Sequence, residues 1–206
     1  YLYFFYHCKE VSCTHIRPMI KTISRAGIMI KIIVMGVSGS MGSRIIKMIH
    51  GMEGMRIVAA VEHEDRTLTG RDAGEYLNIG NMGVLISDDL TGCILRGDVI
   101  IDFTDKETSL QHLKTASENG VSIIMGTTGF MIDEMDMVRT FSARTRCVLV
   151  PDVSPVIYSV HEKGAEKIFR SFIRDTFARE AIAAAKWIVN QKKNGLYDMQ
   201  DVLGLK

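Results

Sequence analysis

The residues of this chain best suited to chemistry stand just past the ends of short apolar runs. Residues 31–49 read KIIVMGVSGSMGSRIIKMI, where an apolar run closes at Gly36 and Gly39 and Gly42 follow at equal steps. An amphipathic pattern then begins, with Ile45, Ile46, Ile49 and Met52 on one face. The order is strand, glycine turn, helix. In such a turn glycines let the backbone approach a phosphate, and the first N–H groups of the helix point at the anion. A second apolar run, residues 57–61, ends at Glu62. An acidic residue about 20 positions past the last glycine is where a dinucleotide fold places its acceptor for ribose hydroxyls. The spacing is Gly-x-x-Gly-x-x-Gly, with Ser38 where the usual fingerprint has its second glycine. The competing reading is a tight strand-to-helix turn that holds no ligand.

The elements that must position these residues alternate regularly. A polar loop follows Glu62, and a short strand is expected at residues 84–86. Asp88 and Asp89 precede a brief helical stretch, and DVIIDF at 98–103 reads as a buried strand. Thr104 and Glu107 have the spacing of a capping box and open a helix that Gly120 ends. A strand at 121–125 runs into GTTGF, a helix covers about 132–143, and a strand at 147–150 stops at Pro151. Such alternation implies right-handed crossovers and a mostly parallel sheet. Ligands of these sheets bind beyond the carboxyl ends of the strands. Gly36, Glu62, Thr104, residues 126–129 and Asp152 are therefore expected to line one crevice. Two further helices are expected, one carrying Ile157, Val160, Gly164, Ala165 and Ile168 on a face, the other Phe177, Ala181, Ile182, Ala185, Ile188 and Val189. Residues 170–175 are left for a turn between them, with Asp175 as the second helix's cap and Asn194-Gly195 as its close. Trp187 falls beside the second stripe and reads as core.

The totals restrict the function classes. A chain of 206 residues with 47% apolar and 24% charged residues reads as globular, with one domain or one plus a fragment. A net charge of +1, with basic residues scattered, gives no general attraction to nucleic acid or membrane. No apolar run approaches the roughly 20 residues that span a bilayer. Cys8, Cys13, Cys93 and Cys147 show no disulfide framework, which suits a reducing compartment. The opening stretch, residues 1–28, is aromatic and irregular, unlike the patterned chain after it. His7, Cys8, Cys13 and His15 lack the paired spacing of a zinc site. The expectation is a non-native or disordered leader, with translation starting at Met29 or Met19.

After residue 29 the motifs resemble one family, 4-hydroxy-tetrahydrodipicolinate reductase (dihydrodipicolinate reductase). The resemblance rests on GVSGSMGSRI at 36–45, AAVE at 59–62, LTGRDAGE at 68–75 and DDL at 88–90. VIIDFTDKETSLQHL at 99–113, GTTGF at 126–130, FAREAIAAAKWI at 177–188 and GLYDMQDVLGL at 195–205 continue it. It implies an α/β fold: a Rossmann-type doubly wound parallel sheet over residues 29–155, with two C-terminal helices and a tail, residues 156–206, packing back on it. It also implies NADH or NADPH as cofactor. Gly36, Val37, Ser38, Gly39, Ser40 and Met41 would hold the pyrophosphate, and Glu62 the adenosine ribose. Gly126, Thr127 and Thr128 would lie near the nicotinamide. Where the family often has an Arg meeting the 2′-phosphate of NADPH, this chain has His63, and Arg66 is a second source of charge there. Asp152 and Val153, in VPDVSPVIY, stand where the family has a hinge that touches the nicotinamide.

One departure bears on activity. The resemblance implies an E-A-H-H-R-H-K stretch and a Ser-Gly-Thr that bind a dicarboxylate substrate and supply a proton. Here His161 is the last histidine, and neither motif comes after it. The expectation is a family member whose second, α+β substrate domain is largely deleted, with no catalytic residues of its own. The resemblance implies a cytoplasmic protein of the diaminopimelate and lysine route, a monomer or weak dimer, with a dicarboxylate substrate only if that domain is restored. Two classes stay open, a reductase and a dinucleotide-binding module without catalysis; a structural protein without ligand is the third.

Overall fold

A computed structural model describes residues 29–150 and 165–206, with the backbone alone for 165–170. The leader, the 151–158 segment with Asp152 and Val153, and the first part of the expected helix from Ile157 lie outside the described residues. Seven strands form one sheet: β1 Ile30–Met35, β2 Met55–Val61, β3 Ile86–Ser87, β4 Val99–Asp102, β5 Ser122–Met125, β6 Arg146–Leu149 and β7 Gly195–Asp198. Their order is β3-β2-β1-β4-β5-β6-β7, with every pairing parallel. The order reverses at β1, between its neighbours β2 and β4, and such a reversal opens a crevice at the strands' carboxyl ends.

The sheet is covered on both faces, which is why its central strands read as continuous apolar runs. Successive side chains point to opposite faces. Ile32 and Val34 of β1 join Ile45, Ile46 and Ile49 of α1 (Ser40–Ile49) on one side. Ile33 and Met35 join Leu113 of α3 (Lys106–Asn119) and Val138 of α4 (Ile132–Ser142) on the other. All four of these β1 side chains are essentially inaccessible to solvent. Each such side chain contributes roughly 1.5–3 kcal/mol of burial. A short helix, α2 (Ala73–Tyr76), lies in the loop before β3. Its start is organised by the Asp72 carboxylate, which accepts N–H bonds from Gly74, Glu75, Met82 and Val84.

Three expectations need correction. The turn at residues 170–175 does not exist. A single helix, α5 (Ala165–Ile188), runs through it for 24 residues. The sequence there, FRSFIRD, holds no Gly or Pro to stop a helix. Asp175 is therefore mid-helix and pairs with Arg44 of α1 at 3.0 Å instead of capping. Arg44 also donates to the Ser171 carbonyl at 2.7 Å, tying α1 to α5. Ala178, Ala181, Ala184 and Ala185 are all fully buried, and their small side chains let α5 lie close to the sheet.

The cap of α3 is Asp105 rather than Thr104. The Asp105 carboxylate accepts the Thr108 N–H at 3.1 Å. Thr104 is occupied elsewhere, donating to Asp102. Gly120 does end this helix, in the left-handed conformation. Last, α5 closes at Ile188 and not at Asn194-Gly195; Gly195 instead opens a strand, and residues 195–203 contain a strand and a helix that pattern alone did not reveal. Strand β7 pairs with β6, and α6 (Met199–Leu203) is capped reciprocally by Asp198 and Asp201. Trp187 packs edge-on against Tyr197 of β7, at the border of the core rather than inside it.

Candidate dinucleotide site

The glycine turn is built so that backbone, not side chains, faces the crevice. Gly36 ends β1 with φ at 68°, a conformation that costs a residue with a Cβ. Its N–H donates to Val61 of β2 at 2.8 Å, which locks the turn to the neighbouring strand. Gly42, one turn into α1, lies so close to Gly36 that a Cβ would stand 2.1 Å from the Gly36 carbonyl oxygen. Only hydrogen fits there. The N-cap of α1 is Gly39, with no side-chain cap and no acidic residue in the first turn. The helix's leading N–H groups and its positive dipole end are thus left to an external anion. That arrangement fits a pyrophosphate.

Glu62 is almost fully buried at the end of β2, and its carboxylate faces the turn. Its Oε2 accepts the Ser38 N–H at 2.8 Å, and its Oε1 accepts the Glu64 N–H at 3.0 Å. Burial alone would push the carboxyl up. The Ser38 hydroxyl and the N–H groups of Ser38, Glu64 and Asp65 outweigh burial and hold it below the ordinary glutamate range. Glu62 is therefore an anion, and a carboxylate has acceptor capacity beyond these bonds. The sequence-based placement of this residue beside the turn holds.

His63 is exposed, but its Nε2 lies 3.2 Å from Nε2 of His112 on α3. His112 is buried, and its Nδ1 stands 2.8 Å from Oδ2 of Asp102, which is fully buried at the end of β4. Oδ1 of Asp102 accepts both the N–H and the hydroxyl of Thr104, at 2.9 and 2.7 Å. The Thr104 carbonyl in turn accepts the Thr127 hydroxyl at 2.7 Å. Sequence reasoning singled out neither Asp102 nor His112. The available signal was an acidic residue closing a strand and a histidine on the next helix.

Among the described residues, the carboxyl ends of the strands carry adjoining depressions. The first, about 270 Å³, is lined by Gly36, Ser38, Gly39, Ser40, Met41 and Gly42, by Glu62, His63 and Glu64, and by Phe103 to Asp105 and Thr108. The second shares Thr104 and Asp105 with it and adds Lys106, Glu107, Glu134 and Gly126 to Thr128. Here Lys106 pairs with Glu134 at 3.1 Å. The third runs from Thr127 and Thr128 past Phe130, Leu149 and Val150 to β7 and α6. Gly36, Glu62, Thr104 and residues 126–129 of the expected crevice thus line a trough of adjoining depressions that share Thr104, Asp105, Thr127 and Thr128, while Asp152 lies outside the described residues. Val37 is the exception among the turn residues. Its side chain is buried in the core, and its N–H leans on Val61, so any part it plays is confined to backbone. Arg66 opens a short 3-10 turn and does not line the first depression.

A family model described as "Dihydrodipicolinate reductase, N-terminus" matches residues 30–153. The chain belongs to the dihydrodipicolinate reductase family. A 4-hydroxy-tetrahydrodipicolinate reductase of Syntrophus aciditrophicus (strain SB) is 32% identical over 268 aligned residues, covering 86% of this chain and all of the relative. One from Anaeromyxobacter sp. (strain Fw109-5) is 35% identical over 126 residues, covering 61% of this chain and 46% of that one. Among solved structures, the dipicolinate-bound dihydrodipicolinate reductase of Paenisporosarcina sp. TG-14 matches with a TM-score of 0.51 at 15% identity, over 83% of this chain and 78% of that one. The amine dehydrogenase of Mycobacterium smegmatis gives 0.52 at 20% identity, over 65% of this chain and 45% of its own. These two likenesses concern the fold alone. The family's N-terminal domain is its NAD(P)-binding domain, and NADH or NADPH is its cofactor.

Proposed function

We propose that this chain holds NADH or NADPH across the first depression as the dinucleotide-binding part of a 4-hydroxy-tetrahydrodipicolinate reductase, and that it does not carry out that reduction itself. The observation that carries the binding reading is Glu62, an anionic carboxylate fixed 2.8 Å from the N–H of Ser38 at the mouth of an uncapped helix. The N–H groups of Ser40, Met41 and Gly42 serve the pyrophosphate, and Glu62 the hydroxyls of the adenosine ribose. Gly126, Thr127 and Thr128 take the nicotinamide end, together with Asp152 and Val153. A bound nicotinamide supplies a hydride for reduction of a cyclic imine-type dicarboxylate in lysine biosynthesis.

The inactive reading rests on the chain beyond residue 150. The match to the Syntrophus relative runs over 268 aligned residues, more than the 206 of this chain, so the alignment must open gaps in it. The sequence has no histidine after His161 and no Ser-Gly-Thr, the elements the resemblance assigns to substrate binding and proton donation. Positioning a substrate against the cofactor contributes up to about 7–11 kcal/mol to rate enhancement. A general acid adds a factor of about 10² to 10⁴. Without either, binding remains and turnover is lost.

Two measurements separate the parts of this reading. Fluorescence titration with NADH and NADPH should show saturable binding; a folded protein that binds neither would refute the cofactor assignment. Cofactor oxidation with the dihydrodipicolinate-type substrate should stay at background. Turnover that depends on His161 or Lys163 would show that the reaction survives, and the chain would be a reductase in its own right.

A further inference from the structure

We propose that Asp102, His112 and His63 form a proton-coupled switch at the ribose end of the crevice, which turns His63 from a hydrogen-bond acceptor into a donor and sets the choice between a ribose hydroxyl and a ribose phosphate. The proposal rests on the cofactor reading above and adds what selects between its two forms.

The hydrogens of the three side chains can be assigned one by one. Asp102 is fully buried and takes three donors: the N–H and hydroxyl of Thr104 on Oδ1, and His112 Nδ1 on Oδ2. A carboxylate so engaged is an acceptor, so His112 carries its hydrogen on Nδ1. In neutral His112, Nε2 is then a lone pair, and the ring nitrogen 3.2 Å away, His63 Nε2, must supply the hydrogen between them. Neutral His63 is thereby held in its Nε2–H form, leaving Nδ1 as an acceptor for a ligand.

Now add one proton to the pair. If the charge rests on His63, both of its nitrogens bear hydrogen. If the hydrogen between the rings passes to His112, the new proton on His63 is still at Nδ1. Wherever the charge sits, His63 Nδ1 has become a donor, and the buried Asp102 carboxylate balances the added charge. An acceptor suits the 2′-hydroxyl of NADH. A donor backed by the positive charge of the imidazole pair suits the phosphate monoester that NADPH carries there. His63 lines the same depression as Glu62 and the glycine turn, so it faces that part of a bound dinucleotide. His112 and Asp102 do not line it and act as positioning residues through His63.

The ionisable groups set around His63, among the described residues, include His112 from α3, Asp102 of β4 behind it, Glu62 and Glu64 beside it, Asp105 across the same depression, and Asp89 from the loop after β3. The Asp89 carboxyl is held low chiefly by the hydroxyl and N–H of Thr91, and lastly by the charge of His63. Carboxylates thus stand on several sides of the imidazole pair.

Two readouts on the full chain test the switch. The first is the ratio of NADPH to NADH affinity, from fluorescence titrations at pH about 8 and about 5.5, the interval over which histidine changes charge. His63→Gln, which cannot change charge, gives the baseline set by the phosphate's own titration. The wild type should gain about tenfold in NADPH preference over that baseline at the lower pH, the effect of one hydrogen bond to a charged group. Wild type and His63→Gln changing in parallel would overturn the proposal. Failure of the wild type to bind either dinucleotide would instead refute the cofactor reading on which the proposal stands.

The second readout needs no cofactor. Imidazole ¹⁵N shifts should give Nδ1–H for His112 and Nε2–H for His63 at high pH, with both rings responding to one shared titration step. His112→Phe should release His63 from that tautomer. The Nδ1–H form of His63 at high pH, or two independent titrations, would overturn the proposal even if His112→Phe fails to fold.

Discussion

Oε2 of Glu62 accepts the N–H of Ser38 at 2.8 Å, so the end of β2 is hydrogen-bonded to the middle of the glycine turn. Two features that the sequence separates by a whole helix are one structure. The bond holds the turn, and in the proposed function the same carboxylate presents acceptor oxygens to a ribose. Glu62→Gln keeps the shape but removes the charge, and NADH affinity should fall about tenfold, the scale of one hydrogen bond to an ionised group. Fluorescence titration checks this. Unchanged affinity would remove Glu62 from the binding site.

Gly42 faces the Gly36 carbonyl with no room for a methyl group. The neighbour is backbone and cannot swing aside. Gly42→Ala should therefore destabilise the fold by about 1–3 kcal/mol, as overpacking does, and weaken dinucleotide binding as well. Thermal unfolding and NADH titration of the same variant measure the two effects. A variant with wild-type stability would contradict the close approach of α1 to the turn.

The continuity of α5 is open to a direct test. Phe172 is 67% exposed, so replacing its side chain disturbs little packing. In an unbroken helix Phe172→Pro removes a backbone hydrogen bond and clashes with the preceding turn, costing about 3 kcal/mol. In a turn, proline would be tolerated. Denaturant unfolding distinguishes the two, and a midpoint equal to that of wild type would restore the pair of shorter helices.

Asp72 gives the fold a predictable acid response. Burial pushes its carboxyl up, but the N–H groups of Met82, Glu75, Val84 and Gly74 bring it below the ordinary aspartate value. A group lowered on folding stabilises the native state above its unfolded value, about 3.9, and that contribution disappears as the pH falls through the folded value. Asp72→Asn should be less stable at neutral pH and should lose less stability than wild type on acidification below about pH 4. Urea midpoints across that range provide the check. Parallel profiles for the two proteins would show that Asp72 is not the group being titrated.

What could be read from sequence depended on how local each feature is. The turn and Glu62 are legible because their geometry follows from fixed spacing along the chain, and the parallel sheet follows from alternating apolar runs. The meeting of Asp102, His112 and His63 was not legible, because it forms only when α3 packs against the sheet and brings the end of β4 to the end of β2. No spacing rule joins three residues from three elements. Thr104 was misassigned as a cap because Asp105 beside it is an equally good N-cap acceptor, and the buried Asp102 claims the threonine. Strand β7 lies at the sheet's edge with all four of its residues only half-buried, so no continuous apolar run marks it as it marks β4 and β5. The break expected near Asp175 came from weighing two apolar faces above the absence of any helix-stopping residue.

The central claim is that a nicotinamide dinucleotide crosses the glycine turn with its adenosine ribose on Glu62. A crystal structure of the chain grown with NADH tests it most directly. The account predicts the pyrophosphate against the N–H groups at the start of α1 and the ribose hydroxyls within hydrogen-bond distance of the Glu62 carboxylate. A dinucleotide bound elsewhere in the trough, with the Glu62 oxygens still engaged only by Ser38 and its neighbours, would contradict it.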